Sequence, residues 1–581
     1  MENRGAAFSG IVTRHTTPGR CRKVAAVHRI TLFTLTTGLA LLAGCAATPP
    51  PKDDPSSHDP VALTVIAEIA LTRGDCKTAS ESYAEAAQHG AIPLARQASR
   101  VGLACENVPA AWKSAVRWRS LAPTDREASA MYATVAIKQY KIADARSAIG
   151  EFAKLQDPQD SSALSELAGL LLEQSDAPAV LAAMSGALDP ATTSPDTNAL
   201  LAELALDAND AQRAERYAQL ALDRDPKQFG AKRVLARAYV VRGDSAKAIF
   251  TAREIMRDDP TRGAFELAEV LVQLDRLEEA HQELERLRST KASTSEIDRR
   301  LALLAYNAGD FKEAQQRFTE IATQGEASDA ALLYLADIAQ RDGDTDAALA
   351  GYRRLADSSL ALEARSKAAS ILLARSKRSE ALLLMDDYVT DHPDTEFEAR
   401  LSEARLLADH GDAEGGLTLL STALEKHPKH PAIEYDRAVI LERAGRVKES
   451  VEVLERLLQE RPEDPVLMNA LGYTLADHNM DLSRADGLIH KALLLTPDSP
   501  AVLDSLGWVR YREGDAKGAV PQLEHAYSLE HDADIAAHWG EVLWASGRHQ
   551  DARRVWAAAI ARAPDAPLLK ATMARFLKDA S

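Results

Sequence analysis

Aromatic residues make up only 5% of the 581 residues, and cysteine occurs four times. Strand-like runs of Val, Ile, Thr and Tyr are scarce as well, which argues against a β-rich fold. No apolar run reaches the roughly 20 residues that a membrane-crossing helix needs. The longest near the start, Ile30 to Leu42, spans thirteen residues and includes Thr31, Thr34, Thr36 and Thr37.

Signatures of catalysis are missing too. The chain holds no GxGxxG, GxxxxGKS or GxxxxGKT loop for phosphates, no HExxH or paired CxxC for zinc, and no GxSxG nucleophile turn. His427 and His430 are three apart, but Pro428 and Pro431 break the helix that would align them, and His525, His531 and His538 are spaced more loosely still. No carboxylate pair stands out as general acid and base. The expectation is a non-enzyme with no catalytic residue, no metal and no cofactor.

The formal charge is −17, and the segment before Cys45 contributes +5 from Arg4, Arg14, Arg20, Arg22, Lys23 and Arg29 against Glu2, which leaves −22 on the remainder. Such a field disfavours nucleic acid, whose binding needs clustered Lys and Arg. No nucleic-acid partner is expected.

What the chain does have begins with Arg20, Arg22, Lys23 and Arg29 ahead of the apolar run and small residues behind it, the layout of a secretory signal. Leu42, Ala43, Gly44 and Cys45 resemble the bacterial lipobox. That resemblance implies removal of residues 1–44 and lipidation of Cys45, with Ala46 favouring the periplasmic face of the outer membrane. Residues 45–60, with Pro49, Pro50, Pro51, Pro55 and Pro60, then read as a stiff solvated tether of up to about 3.1 Å per residue.

Beyond the tether, composition shifts to Ala, Leu, Arg, Glu and Asp, which favour helices and helix ends. Turn tripeptides recur at Arg73-Gly74-Asp75, Arg242-Gly243-Asp244, Ala308-Gly309-Asp310, Asp342-Gly343-Asp344, His410-Gly411-Asp412, Ala444-Gly445-Arg446, Glu513-Gly514-Asp515 and Ser546-Gly547-Arg548. Gly309 to Gly343 and Gly411 to Gly445 are each 34 residues. Turns without glycine fill the gaps near Asn107, Tyr140, Ser175, Asn209, Asp275, Ser376 and Asn479.

Five residues after the turn, the second helix places Ala79, Ala248, Ala280, Ala314, Ala348, Ala519 or Ala552, where close helix approach leaves no room for more. Pro226, Pro260, Pro393, Pro428, Pro462, Pro497 and Pro564 close repeats. A 34-residue helix-turn-helix period is the tetratricopeptide (TPR) signature. The chain resembles that family from residue 61 to about 570.

The expected fold is therefore all-α, a TPR α-solenoid. It would be one continuous right-handed superhelix of antiparallel helix pairs, about 15 repeats in all, because single short helices are marginal alone and must stack. Residues 61–200 form the degenerate repeats, 201–565 the regular ones and 566–581 a capping helix. No segment is left over for a catalytic domain.

Two side-chain groups stand out. Cys76 opens the second helix of the first repeat and Cys105 closes the first helix of the next, so the two helix ends should be neighbours. They are either bridged or two buried free thiols. In the carboxyl-terminal third, Gly472, Gly507 and Gly540 recur where helices pack closely. Helical counting puts Asn469, Tyr473, Asp504, Trp508, Tyr511, Glu541 and Trp544 on or near one stripe. These residues either line a groove for an extended peptide or partner helix, or pack between helices, as Trp539 and Trp556 should.

The block from "MNALGYTLADHN", beginning at Met468, through "DSLGWVRYREGD" to "AAHWGEVLWASGR" resembles the last repeats of a proteobacterial group of lipid-anchored TPR proteins. That resemblance implies a scaffold that binds proteins: a periplasmic carboxyl-terminal processing protease and the cell-wall hydrolases delivered to it. The alternative is an assembly factor for a pilus, secretin or exopolysaccharide exporter.

Overall fold

The computed structural model describes residues 59–577, apart from 156–160, 291–293, 324–327, 427–428 and 564–565. Among the described residues there are thirty-one α-helices and no strand, so the fold is an all-α TPR solenoid. The helices fall into two compact units divided between Leu121 and Ala122, where the sequence predicts one continuous stack. Signal, lipidation site and most of the tether (residues 1–58) lie outside the described residues.

A single local recipe builds six of the described helix pairs. In the pair Phe229–Val241 and Ser245–Asp258, Gly243 takes φ +74°, a left-handed conformation open to glycine without steric cost. The Asp244 N–H then returns to the Tyr239 carbonyl at 2.8 Å, closing the first helix in a Schellman turn. The Asp244 carboxylate accepts the Lys247 N–H at 3.2 Å and starts the second helix. Asp310, Asp344 and Asp515 repeat both contacts, which is why Gly-Asp marks the turns.

Turns without glycine solve the same problem at higher cost. Glu106, rather than neighbouring Asn107, takes the left-handed conformation, as do Tyr140, Asn209, Asp275, Ser376 and Asn479. The turn near Ser175 contains no such residue and closes with a 3.0 Å bond from the Ser175 N–H to the Leu171 carbonyl. Pro260, expected to close a repeat, instead opens the helix Pro260–Gln273, where its missing donor is not needed. Pro431, Pro465 and Pro500 likewise start helices.

Packing follows the small residues. Ala79, Ala248, Ala280, Ala314, Ala348, Ala519 and Ala552 are all fully buried. A Cβ on Gly507 would lie 2.5 Å from Leu523 Cγ, and one on Gly540 would collide with the Trp556 indole. The terminal helix Pro567–Leu577 covers that indole with Phe576, at 5.9 Å between ring centroids.

Candidate functional site

Cys76 and Cys105 are bridged, with their α carbons 5.2 Å apart. Cys76 is the first residue of the helix Cys76–His89, and Cys105 is the cap of Ile92–Ala104. The bond joins consecutive repeats of the first unit just behind its first described helix, Pro60–Thr72.

The aromatic stripe of the carboxyl-terminal repeats does not form an open groove. Tyr473 and Trp508 are 4% and 5% exposed, and Asp504 and Glu541 are buried. Each successive repeat lays its first helix against the stripe, so residues on that face meet the next repeat before they meet solvent. The Trp508 indole N–H donates to Asp477 Oδ1 at 3.0 Å, and its ring stacks on His538 at 4.3 Å. His538 Nδ1 lies 3.0 Å from both Asp504 oxygens.

The Tyr511 hydroxyl donates to Glu541 at 3.4 Å, and Arg575 pairs with the same carboxylate. Burial pushes the Glu541 carboxyl above its ordinary range, against the pull of Arg575. Tyr511 and Asn469 are half-buried. Trp544, also half-buried, packs on Trp556 at 5.8 Å and His549 at 4.3 Å. Trp556 is fully buried and Trp539 partly so.

Separate polar pairs about one repeat apart recur elsewhere in the second unit. Arg405 holds Asp436 at 2.8 Å, Arg378 holds Asp412 at 2.8 Å, and Arg317 holds Glu285 at 3.0 Å. Glu442, Asp477 and His478 bring donor atoms within 4.8 Å of one another. His478 Nε2 lies 3.4 Å from Glu442 Oε1, and this contact raises the imidazole pKa above its usual value. Because Asp477 already accepts from Trp508 and lies 3.8 Å from Arg512, the trio is explained as ion pairing. The 34-residue spacing of Asp504 and His538 could have revealed the pairing from the sequence.

One surface was missed. On the helix Pro60–Thr72, Val61, Val65, Ile66 and Ile69 are 45–71% exposed. At 100° per residue they cover one face about 140° wide. Ala67 and Ala70 on the opposite side are buried, and Tyr83 of the next helix bonds Glu68. The string "PVALTVIAEIALT" is apolar on both faces, and that was the available signal. The arrangement offers an apolar face for binding rather than a constellation for chemistry.

The sequence matches the tetratricopeptide repeat family over residues 200–262, 299–360 and 401–465. The chain carries tetratricopeptide repeats. A TPR repeat-containing protein of Pseudomonas aeruginosa is 32% identical over 213 residues, 37% of this chain and 36% of that relative. The match thus spans little more than a third of the relative's length. Among solved TPR structures, a thermophilic protein of Thermus thermophilus is 24% identical and matches 31% of this chain and 98% of its own, at a TM-score of 0.29. One from Parabacteroides merdae is 17% identical, matching 43% of this chain and 100% of its own, at 0.31.

Proposed function

We propose that this TPR chain is a non-enzymatic scaffold, lipid-anchored through Cys45 at the periplasmic face of the outer membrane. It assembles a carboxyl-terminal processing protease and presents cell-wall hydrolases to it. The reading rests on the resemblance of Met468–Trp556 to the group that includes LbcA, the lipoprotein adaptor of such a protease. The observation that carries the binding role is the apolar face of Pro60–Thr72. Within a helical stack an exposed apolar helix face is where another helix would pack, and soluble solenoids keep such outer faces polar. Its occupant is an amphipathic helix of the protease, which continues the stack and covers Val61, Val65, Ile66 and Ile69.

Affinity purification of the full chain from detergent-solubilised envelopes tests this role. A processing protease recovered together with peptidoglycan hydrolases supports the adaptor. Recovery of a pilus, secretin or polysaccharide-export component in their place would make the protein an assembly factor. A chain that lacks the lipid, or that fractionates with the inner membrane, would refute the anchoring.

A further inference from the structure

Within the second unit, three contacts join segments far apart in sequence. The Asp498 N–H donates to the Asn209 carbonyl at 2.8 Å, and Asp498 Oδ2 accepts the Ala211 N–H at 2.8 Å across 287 residues. Arg562 lies 3.6 Å from Asp275, the same number of residues away. The Arg461 guanidinium sits 4.4 Å from the centroid of the Tyr140 ring while pairing with Asp464 at 2.8 Å. Small rotations between repeats add up until the coil returns upon itself.

The partners are not scattered. Tyr140, Asn209 and Asp275 are all turn residues, and all three take positive φ without being glycine. Tyr140 contributes its ring and Asp275 its carboxylate, which a glycine in the same turn could not supply. On the other side, Arg461 and Asp498 lie on connections between repeats, and Arg562 ends the helix His549–Arg562. The turns that depart from the glycine pattern at these three positions are the ones that meet the returning chain.

We propose that these three contacts form a clasp that holds residues 122–581 in a closed coil and opens without unfolding any repeat. The chain therefore has a closed and an open conformation. The three contacts comprise two hydrogen bonds at Asp498, one cation–π contact and one ion pair, whose groups water can solvate once they separate. Consecutive repeats are held instead by buried apolar clusters, such as the one containing Leu454, Leu471, Ile489 and Leu506. The Arg562 and Asp275 side chains are substantially exposed, so salt screens their attraction and favours the open form. Opening changes the spacing between surfaces on successive turns of the coil while leaving each surface intact.

Small-angle X-ray scattering of the full chain, paired with circular dichroism, tests the clasp. The double variant Asp498→Lys, Arg562→Glu should increase the maximum dimension at unchanged helicity. Adding Asp275→Arg to the double variant, which restores the ion pair in reverse, should bring the dimension back toward the closed value. If the double variant loses helicity, a cross-link decides. An oxidised Asn209→Cys, Asp498→Cys chain should stay closed at high salt while wild type expands. Identical scattering from wild type and the double variant, or from wild type and the cross-linked chain at high salt, would overturn the proposal.

Discussion

Trp508 donates its indole N–H to Asp477 across 31 residues of sequence, at 3.0 Å and almost wholly out of solvent. The contact ties one repeat to the one before it, and the stacked His538 ties it to the one after. The same residues that suggest a binding groove in the sequence are the fastenings between repeats.

Replacing Trp508 with Ala is therefore expected to destabilise the carboxyl-terminal repeats by about 3–5 kcal/mol, the usual range for a large buried aromatic. Tyr473→Ala should act in the same direction. Chemical denaturation reads both. Midpoints equal to wild type, together with weaker partner capture, would return these rings to a binding surface.

Two glycines separate close packing from mere flexibility. A Cβ on Gly102 would lie 2.6 Å from the Ala111 backbone nitrogen, whereas one on Gly169 meets nothing within 4 Å. Gly102→Ala should cost about 1–3 kcal/mol through overpacking. Gly169→Ala, in the helix Ser162–Leu172, should stabilise by up to about 1 kcal/mol through helix propensity. Thermal melts that shift both variants the same way would contradict the packing described for Gly102.

The Cys76–Cys105 bond closes a loop of 29 residues. Chain-entropy arguments assign such a closure about 3–4 kcal/mol. Reduction should raise amide hydrogen exchange across residues 60–121 and leave the repeats around Leu471 and Leu506 unaffected. Equal protection with and without reductant would mean that the bond adds no local stability.

Glu530 supplies a pH dependence. Burial, with Asp532 nearby, pushes its carboxyl up to about 7 from a usual 4.5. The folded chain thus holds this proton more tightly than the unfolded chain. The associated stability is complete below 4.5 and is lost as pH rises through about 7. His478, raised above 6.5 chiefly by its hydrogen bond with Glu442, has the same sign, its contribution being full below 6.5 and lost as pH climbs past its raised value. Above about pH 6.5, where His531, lowered by burial, is neutral in both states, melting temperature should therefore fall toward mildly alkaline buffer. Glu530→Gln should flatten the Glu530 part and add about 1 kcal/mol above neutrality, after discounting for solvent screening of a half-exposed group. A melting temperature that rises with pH would contradict this assignment.

Local structure was legible in the sequence wherever one residue type answers one steric need. Glycine at the left-handed position, aspartate at the cap and alanine at the crossing announce the TPR period, and Ala79, Ala248 and Ala519 are buried as that period requires. The stripe from Asn469 to Trp544 was legible as a stripe but not as a face. Helical counting gives an angle around one helix, while burial depends on how the next repeat is laid against it.

The contact of Asp498 with Ala211 could not be read at all. It depends on rotations accumulated over more than eight repeats, and no local pattern records them. The exposed face of Pro60–Thr72 was obscured because that helix is apolar on two sides, and only the structure distinguishes the side already covered.

That face gives the most direct test of the scaffold itself. The full chain carrying Val61→Ser, Val65→Ser, Ile66→Ser and Ile69→Ser would be compared with wild type in binding to the purified processing protease, with circular dichroism as the folding control. The variant should lose at least tenfold in affinity, about 1.4 kcal/mol or more, at unchanged helicity. Undiminished binding by a folded variant would contradict it.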